Sequence, residues 1–183
     1  MKKKLLVRMI ALAFAGVLFS SHSWAQEDKS KRPSPPATSV GKVHGAALTI
    51  MYSSPSVKGR KIFGGLVPYG KVWRAGANEA TIFSTDKDVE VEGKKLAAGN
   101  YSLFMTPGEK EWIVYFNSQT GQWGDTEGGK ANMDPAKTVL QVTVKPKELK
   151  DVQEKLIYTV FDGDFERGFA MSWDKTKVYV NVK

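Results

Sequence analysis

No cysteine occurs anywhere in the 183 residues. That excludes disulfides, thiol catalysis, thiolate metal sites and haem attachment, so the fold must rest on burial alone. Histidine is nearly as scarce. Of the two present, His22 lies beside the N-terminal apolar run, which leaves His44 alone in the body of the chain. A Ser-His-Asp triad would have to use it, yet no G-x-S-x-G elbow accompanies it. A zinc site normally wants several histidines or cysteines, so His44 is expected to be an ordinary edge residue. Phosphate loops of the G-x-x-x-x-G-K-[ST] and G-x-G-x-x-G types are also missing. No long amphipathic helix stands out, and no internal repeat of ~20–50 residues marks a solenoid or propeller. The sequence calls for no cofactor.

Residues 1–25 have the layout of a signal peptide. Lys2, Lys3, Lys4 and Arg8 form a basic start, an apolar run follows, and Ser23-Trp24-Ala25 supplies small residues at the cleavage positions. The run is short and broken by Arg8, which argues against a membrane anchor remaining after cleavage. A periplasmic or secreted location is the expectation. Removal would leave 158 residues, enough for one domain with a real core. Residues 26–43 are polar and proline-rich at their start and read as a disordered linker; the domain is expected over 44–183.

The chain carries 27 Lys and Arg against 19 Asp and Glu. The signal holds four of the cations and none of the acids, so the mature chain keeps 23 against 19, a net of +4. Residues 54–80 alone hold five cations (Lys58, Arg60, Lys61, Lys71, Arg74) and one acid, Glu79, which is also +4. The excess is local, and this is no sign of a nucleic-acid-coating protein.

From residue 46 onward the pattern is strands. Candidates are 46–52, 79–85, 88–92, 100–106, 111–117, 137–145, 154–161, 168–173 and 177–182. Pro107-Gly108-Glu109-Lys110 supplies hairpin chemistry between two of them. Only 146–152 suggests a turn of helix. About nine short, regularly spaced strands argue for an all-β fold, an antiparallel β-sandwich with a jelly roll as one arrangement.

Residues 54–80 break that pattern with five glycines among the cations and aromatics. Within Trp73-Arg74-Ala75-Gly76-Ala77-Asn78-Glu79 the sequence offers an aromatic, a guanidinium, an amide and a carboxylate. Two readings stand side by side. In one, Trp73 and an Arg74–Glu79 pair form a buried structural plug, with Asn78 pinning the turn. In the other, Trp73, Tyr69 or Trp123 is a stacking platform, while Arg60, Lys61, Arg74, Asn78 and Glu79 hydrogen-bond a polar ligand. That ligand would be a glycan or an anionic envelope component. A hydrolase using Glu79 with Arg74 is the enzymatic alternative, although no catalytic constellation is singled out. The loop 117–133 carries Trp123 and is expected to fold back over the Trp73 segment. Trp112 and Trp173 sit inside apolar strands and read as core. Asp162, Asp164 and Glu166 share one side of an extended chain, but a solvated turn is preferred to a calcium site.

The run SPSVKGRKIFGGLVPYGKVWRAGANEATIF, the spaced pattern near 91–104, and the later W-x-V-x-F-N and Q-W-G resemble the bacterial family catalogued as domain of unknown function 2911. The resemblance covers about residues 48–144. It implies an exported, β-rich protein and brings no substrate or mechanism. Where the family pattern commonly has threonine after W-R, this chain has Ala75.

Overall fold

The computed structural model describes residues 28–164 and 166–183; the expected signal peptide lies outside them. Ten strands run along the described chain. The first five are β1 (Pro36–Val43), β2 (Ala46–Ser53), β3 (Thr81–Thr85), β4 (Val89–Val91) and β5 (Lys94–Leu96). Then come β6 (Gly99–Thr106), β7 (Trp112–Asn117), β8 (Thr138–Val144), β9 (Pro146–Asp162) and β10 (Arg167–Asn181).

Six of these form one antiparallel sheet in the order β1-β2-β3-β6-β7-β8. Strands β9 and β10 make a long hairpin, and β4 and β5 a short one. The short hairpin joins the end of β10: Glu90 and Lys183 exchange backbone hydrogen bonds at 2.7 and 2.8 Å. Period-two burial explains how these layers meet. On β10, Phe169, Met171 and Trp173 point inward and are buried, as side chains two apart on a strand must share a face. The Phe169 ring meets Phe83 of β3 at 5.4 Å and Phe116 of β7 at 6.5 Å, while Trp173 meets Phe63 at 5.9 Å. Burying each such side chain contributes about 1.5–3 kcal/mol. The result is an all-β protein of several antiparallel sheets.

Three expectations change in detail. Ten strands replace nine among the described residues, because β1 and β5 were not foreseen and two candidates fuse into β10. Asp174, with φ of 54°, sits between two register shifts in β10, so a bulge bends one strand where the pattern suggested a gap. Residues 146–152 are strand instead of a helical turn, since pairing with β10 overrides their charged, helix-favouring composition. Finally, residues 36–43 of the expected linker are strand β1, hydrogen-bonded along its whole length to β2. The turn between them is His44-Gly45, with φ of 48° and 77°, the left-handed pair a tight hairpin requires. His44 is thus a turn residue.

Candidate functional site

Segment 54–80 leaves β2 and returns as β3, crossing the molecule without a strand of its own. Trp73 anchors it. Its backbone exchanges hydrogen bonds with Met105 at 2.7 and 2.9 Å. The indole Nε1 donates to the Gly76 carbonyl at 3.1 Å, and the ring stacks on Trp173 with centroids 5.9 Å apart. Trp73 is 8% exposed, with one ring face taken by Trp173, so little of it reaches solvent.

The turn that follows is held from inside. Ala75, with φ of 56°, is fully buried. Its carbonyl accepts from Thr81 Oγ1 at 3.1 Å and from the Tyr158 hydroxyl at 2.8 Å. Burial pushes the Tyr158 pKa upward, so this hydroxyl stays a donor. No side chain at position 75 would face solvent. A Cβ at Gly76 would lie 2.7 Å from Thr81 Oγ1, which requires glycine there.

Arg74 and Glu79 do not pair with each other. Arg74 forms its ion pair with Asp125 of the loop between β7 and β8. Glu79 instead takes Lys29 at 2.7 Å and Arg32 at 3.1 Å from the N-terminal arm. Desolvation alone would raise the Glu79 pKa. Hydrogen bonds from Lys29, its own backbone and Arg32 outweigh it and bring the value to about 2. Asn78, left-handed at φ of 57°, donates from Nδ2 to the Ser34 carbonyl at 2.9 Å. Trp123 is half exposed, with the Arg32 guanidinium 5.8 Å from its ring centre.

The loop 117–133 does fold over this segment, as expected. Gly124 N–H donates to the Asn78 carbonyl at 2.9 Å, and Ala80 N–H to the Gln122 carbonyl at 3.2 Å. Gly124 lies directly on the Arg74 stem: a Cβ there would come 2.2 Å from Arg74 Cδ. Between this loop and residues 66–74 opens a cleft of about 500 Å³. Leu66 and the Trp73 edge give it apolar wall, while Lys71, Arg74 and Lys130 bring positive charge. Among the described residues its lining holds one acid, Asp125, which pairs with Arg74, so those two charges offset each other and Lys71 and Lys130 carry the excess. Burial lowers the Arg74 pKa from its ordinary value, and its Nε is buried without a hydrogen-bond partner.

A family model described as "Protein of unknown function (DUF2911)" matches residues 34–182. The chain belongs to that family. Among curated proteins and among solved structures, nothing matches the chain. The DUF2911 match starts at Ser34, whose carbonyl holds Asn78, and takes in β1 as well as β9 and β10. The family unit is thus longer at both ends than the stretch 48–144 that carried the resemblance.

The residues expected to share one surface are distributed over several places. Trp73 and Arg74 line the cleft. Asn78, Glu79 and Trp123 meet the N-terminal arm beside it. Tyr69 lies across the 61–71 loop, in a second cleft. Arg60 turns onto its own backbone, donating to Val57 and Ser56 carbonyls at 3.0 and 2.6 Å. Lys61 is exposed, and neither of these two lines either cleft. Sequence reasoning did not place Lys71, Asp125 and Lys130 in the site. Lys71 was visible in the local charge excess and Lys130 lies in the glycine-rich loop; their convergence needed the fold. Asp162 and Glu166 flank the β9–β10 turn, where Glu166 pairs with Lys177 at 3.0 Å. No group of three metal-ligating side chains occurs among the described residues, and no helix among them is long and apolar enough to cross a membrane.

Proposed function

We propose that this DUF2911 protein is an exported, noncatalytic binding domain whose ligand is an anionic, carbohydrate-bearing component of the cell envelope. One observation carries the reading: the ~500 Å³ cleft presents Lys71 and Lys130 over apolar wall, with no acid among its described lining left to offset them once Asp125 has paired with Arg74. Such a cleft attracts anions, and its size falls within the ~300–1,000 Å³ usual for small-ligand sites. In this reading the six-stranded sheet and the β9–β10 hairpin are the two leaves of a β-sandwich. Export rests on the N-terminal basic, apolar and S-W-A succession, and the mature protein should begin at Gln26 when sequenced.

The hydrolase alternative loses support from the state of Glu79. A general acid needs a raised pKa, whereas Glu79 is held low by Lys29 and Arg32 and lies outside the cleft lining. Calorimetric titration with galacturonate tests the binding reading. Wild type should bind, and Lys71→Ala and Lys130→Ala should each weaken binding about fivefold or more, with affinity falling as salt rises. Affinity in both variants equal to that of wild type, or no binding by wild type to the monomer or its oligomers, overturns it.

A further inference from the structure

The loop between Lys61 and Lys71 is a fixed ridge. Leu66 N–H donates to the Lys61 carbonyl at 3.0 Å and Val67 N–H to Ile62 at 2.9 Å; Gly64 N–H returns to Val67 at 2.9 Å. Farther along, Gly70 N–H reaches the Pro107 carbonyl at 2.8 Å. Each flank of this ridge is a cleft. Pro68 lines the cationic cleft already described, and Tyr69, the next residue, lines a second of about 350 Å³.

Beneath the ridge the aromatic packing is continuous. Trp73 belongs to the first cleft, and the Phe63 ring meets it edge-on at 5.9 Å. Phe63 also meets Trp112 at 4.7 Å, and these two residues line the second cleft. The chemistry differs on the two sides. The first is cationic, while the second mixes Glu109 and Glu148 with Lys147 and Lys175. Acceptors and donors together suit sugar hydroxyls better than a bare anion. Tyr69 is 42% exposed, with one side of its ring against Gly64, where a Cβ would lie only 2.7 Å away. Its ring is therefore backed by the protein and presented at the second cleft.

We infer that the two clefts are consecutive subsites for one linear acidic glycan, which crosses the ridge with a sugar ring against Tyr69. This rests on the binding reading above and deepens it: the ligand is a chain of linked sugars instead of a small anion. An acidic unit occupies the first cleft, held by Lys71 and Lys130. A further unit in the second cleft exchanges hydrogen bonds with Glu109, Glu148 and the two lysines.

The test is a length series of galacturonate, from monomer to tetramer, titrated into the full folded domain. Affinity should rise about tenfold with length. Tyr69→Ala should remove that gain, and Tyr69→Phe should retain it. Lys71→Ala should weaken monomer and tetramer alike. Oligomer binding without detectable monomer binding, lost in both Tyr69→Ala and Lys71→Ala, also supports the inference. Monomer binding with no gain in length, or a gain that survives Tyr69→Ala, overturns it while the binding reading stands. No binding at any length overturns both.

Discussion

The indole of Trp73 lies stacked on that of Trp173, with centroids 5.9 Å apart and planes 20° from parallel. One ring comes from the glycine-rich crossing and the other from β10, so the pair ties the irregular segment to the core. Trp73→Ala should lower unfolding free energy by about 3–5 kcal/mol. Trp123→Ala, at a half-exposed ring facing Arg32, should cost no more than about 1 kcal/mol. Urea unfolding of the two variants checks this; similar losses would contradict the contrast.

Glu79 gives the protein an acid limb. Its pKa is depressed in the folded state, from 4.5 to about 2, so its contribution is complete above about pH 5 and lost as pH falls through 2. With the side chain 36% exposed, solvent screening holds the amplitude to about 1 kcal/mol. Denaturation midpoints at pH 6, 4 and 3 should fall more steeply in wild type than in Glu79→Gln. Parallel curves would show that the arm contact carries no stability.

Gly124→Ala tests the seat of Arg74. The added methyl meets Arg74 Cδ and also lies 2.8 Å from the Asn78 carbonyl. The loop must lift, and the expected loss is about 1–3 kcal/mol, with faster hydrogen exchange at 122–132. An unchanged exchange pattern would mean that the loop adjusts without releasing Arg74.

Truncation separates the arm from the strand. A chain starting at Ser34 loses Lys29 and Arg32 but keeps the carbonyl that holds Asn78. Its melting temperature should drop only a few degrees, matching about 1 kcal/mol. A chain starting at Ala46 loses β1, leaves β2 as a bare edge and should aggregate in size-exclusion chromatography. A well-behaved monomer from the shorter chain would refute the structural role of β1.

Most strands were legible because buried and exposed residues alternate: Leu140, Val142 and Val144 of β8 all point inward. Strand β1 was not, because its inward set is Ala37, Ser39, Gly41 and Val43, and small residues give no hydrophobic alternation. They are small because β9 approaches closely: a Cβ on Gly41 would sit 2.6 Å from Val160 Cγ1. The first half of β9 hid for another reason. It buries almost nothing and is held by backbone pairing, which composition does not reveal. At the site, the motif around Trp73 announced its own importance. It could not announce partners such as Asp125 and Lys29, which lie far away along the chain.

That close approach of Gly41 to Val160 sets a condition on when the protein can fold. Strand β1 belongs to the start of the chain and β9 to its last quarter, while Val91 bridges to Val182 at the very end. Loops must close over most of the sequence before these contacts form, which places refolding among the millisecond-to-second folders. A chain still emerging from its ribosome lacks the strands that complete the seam, and so stays open until β9 and residue 182 have emerged.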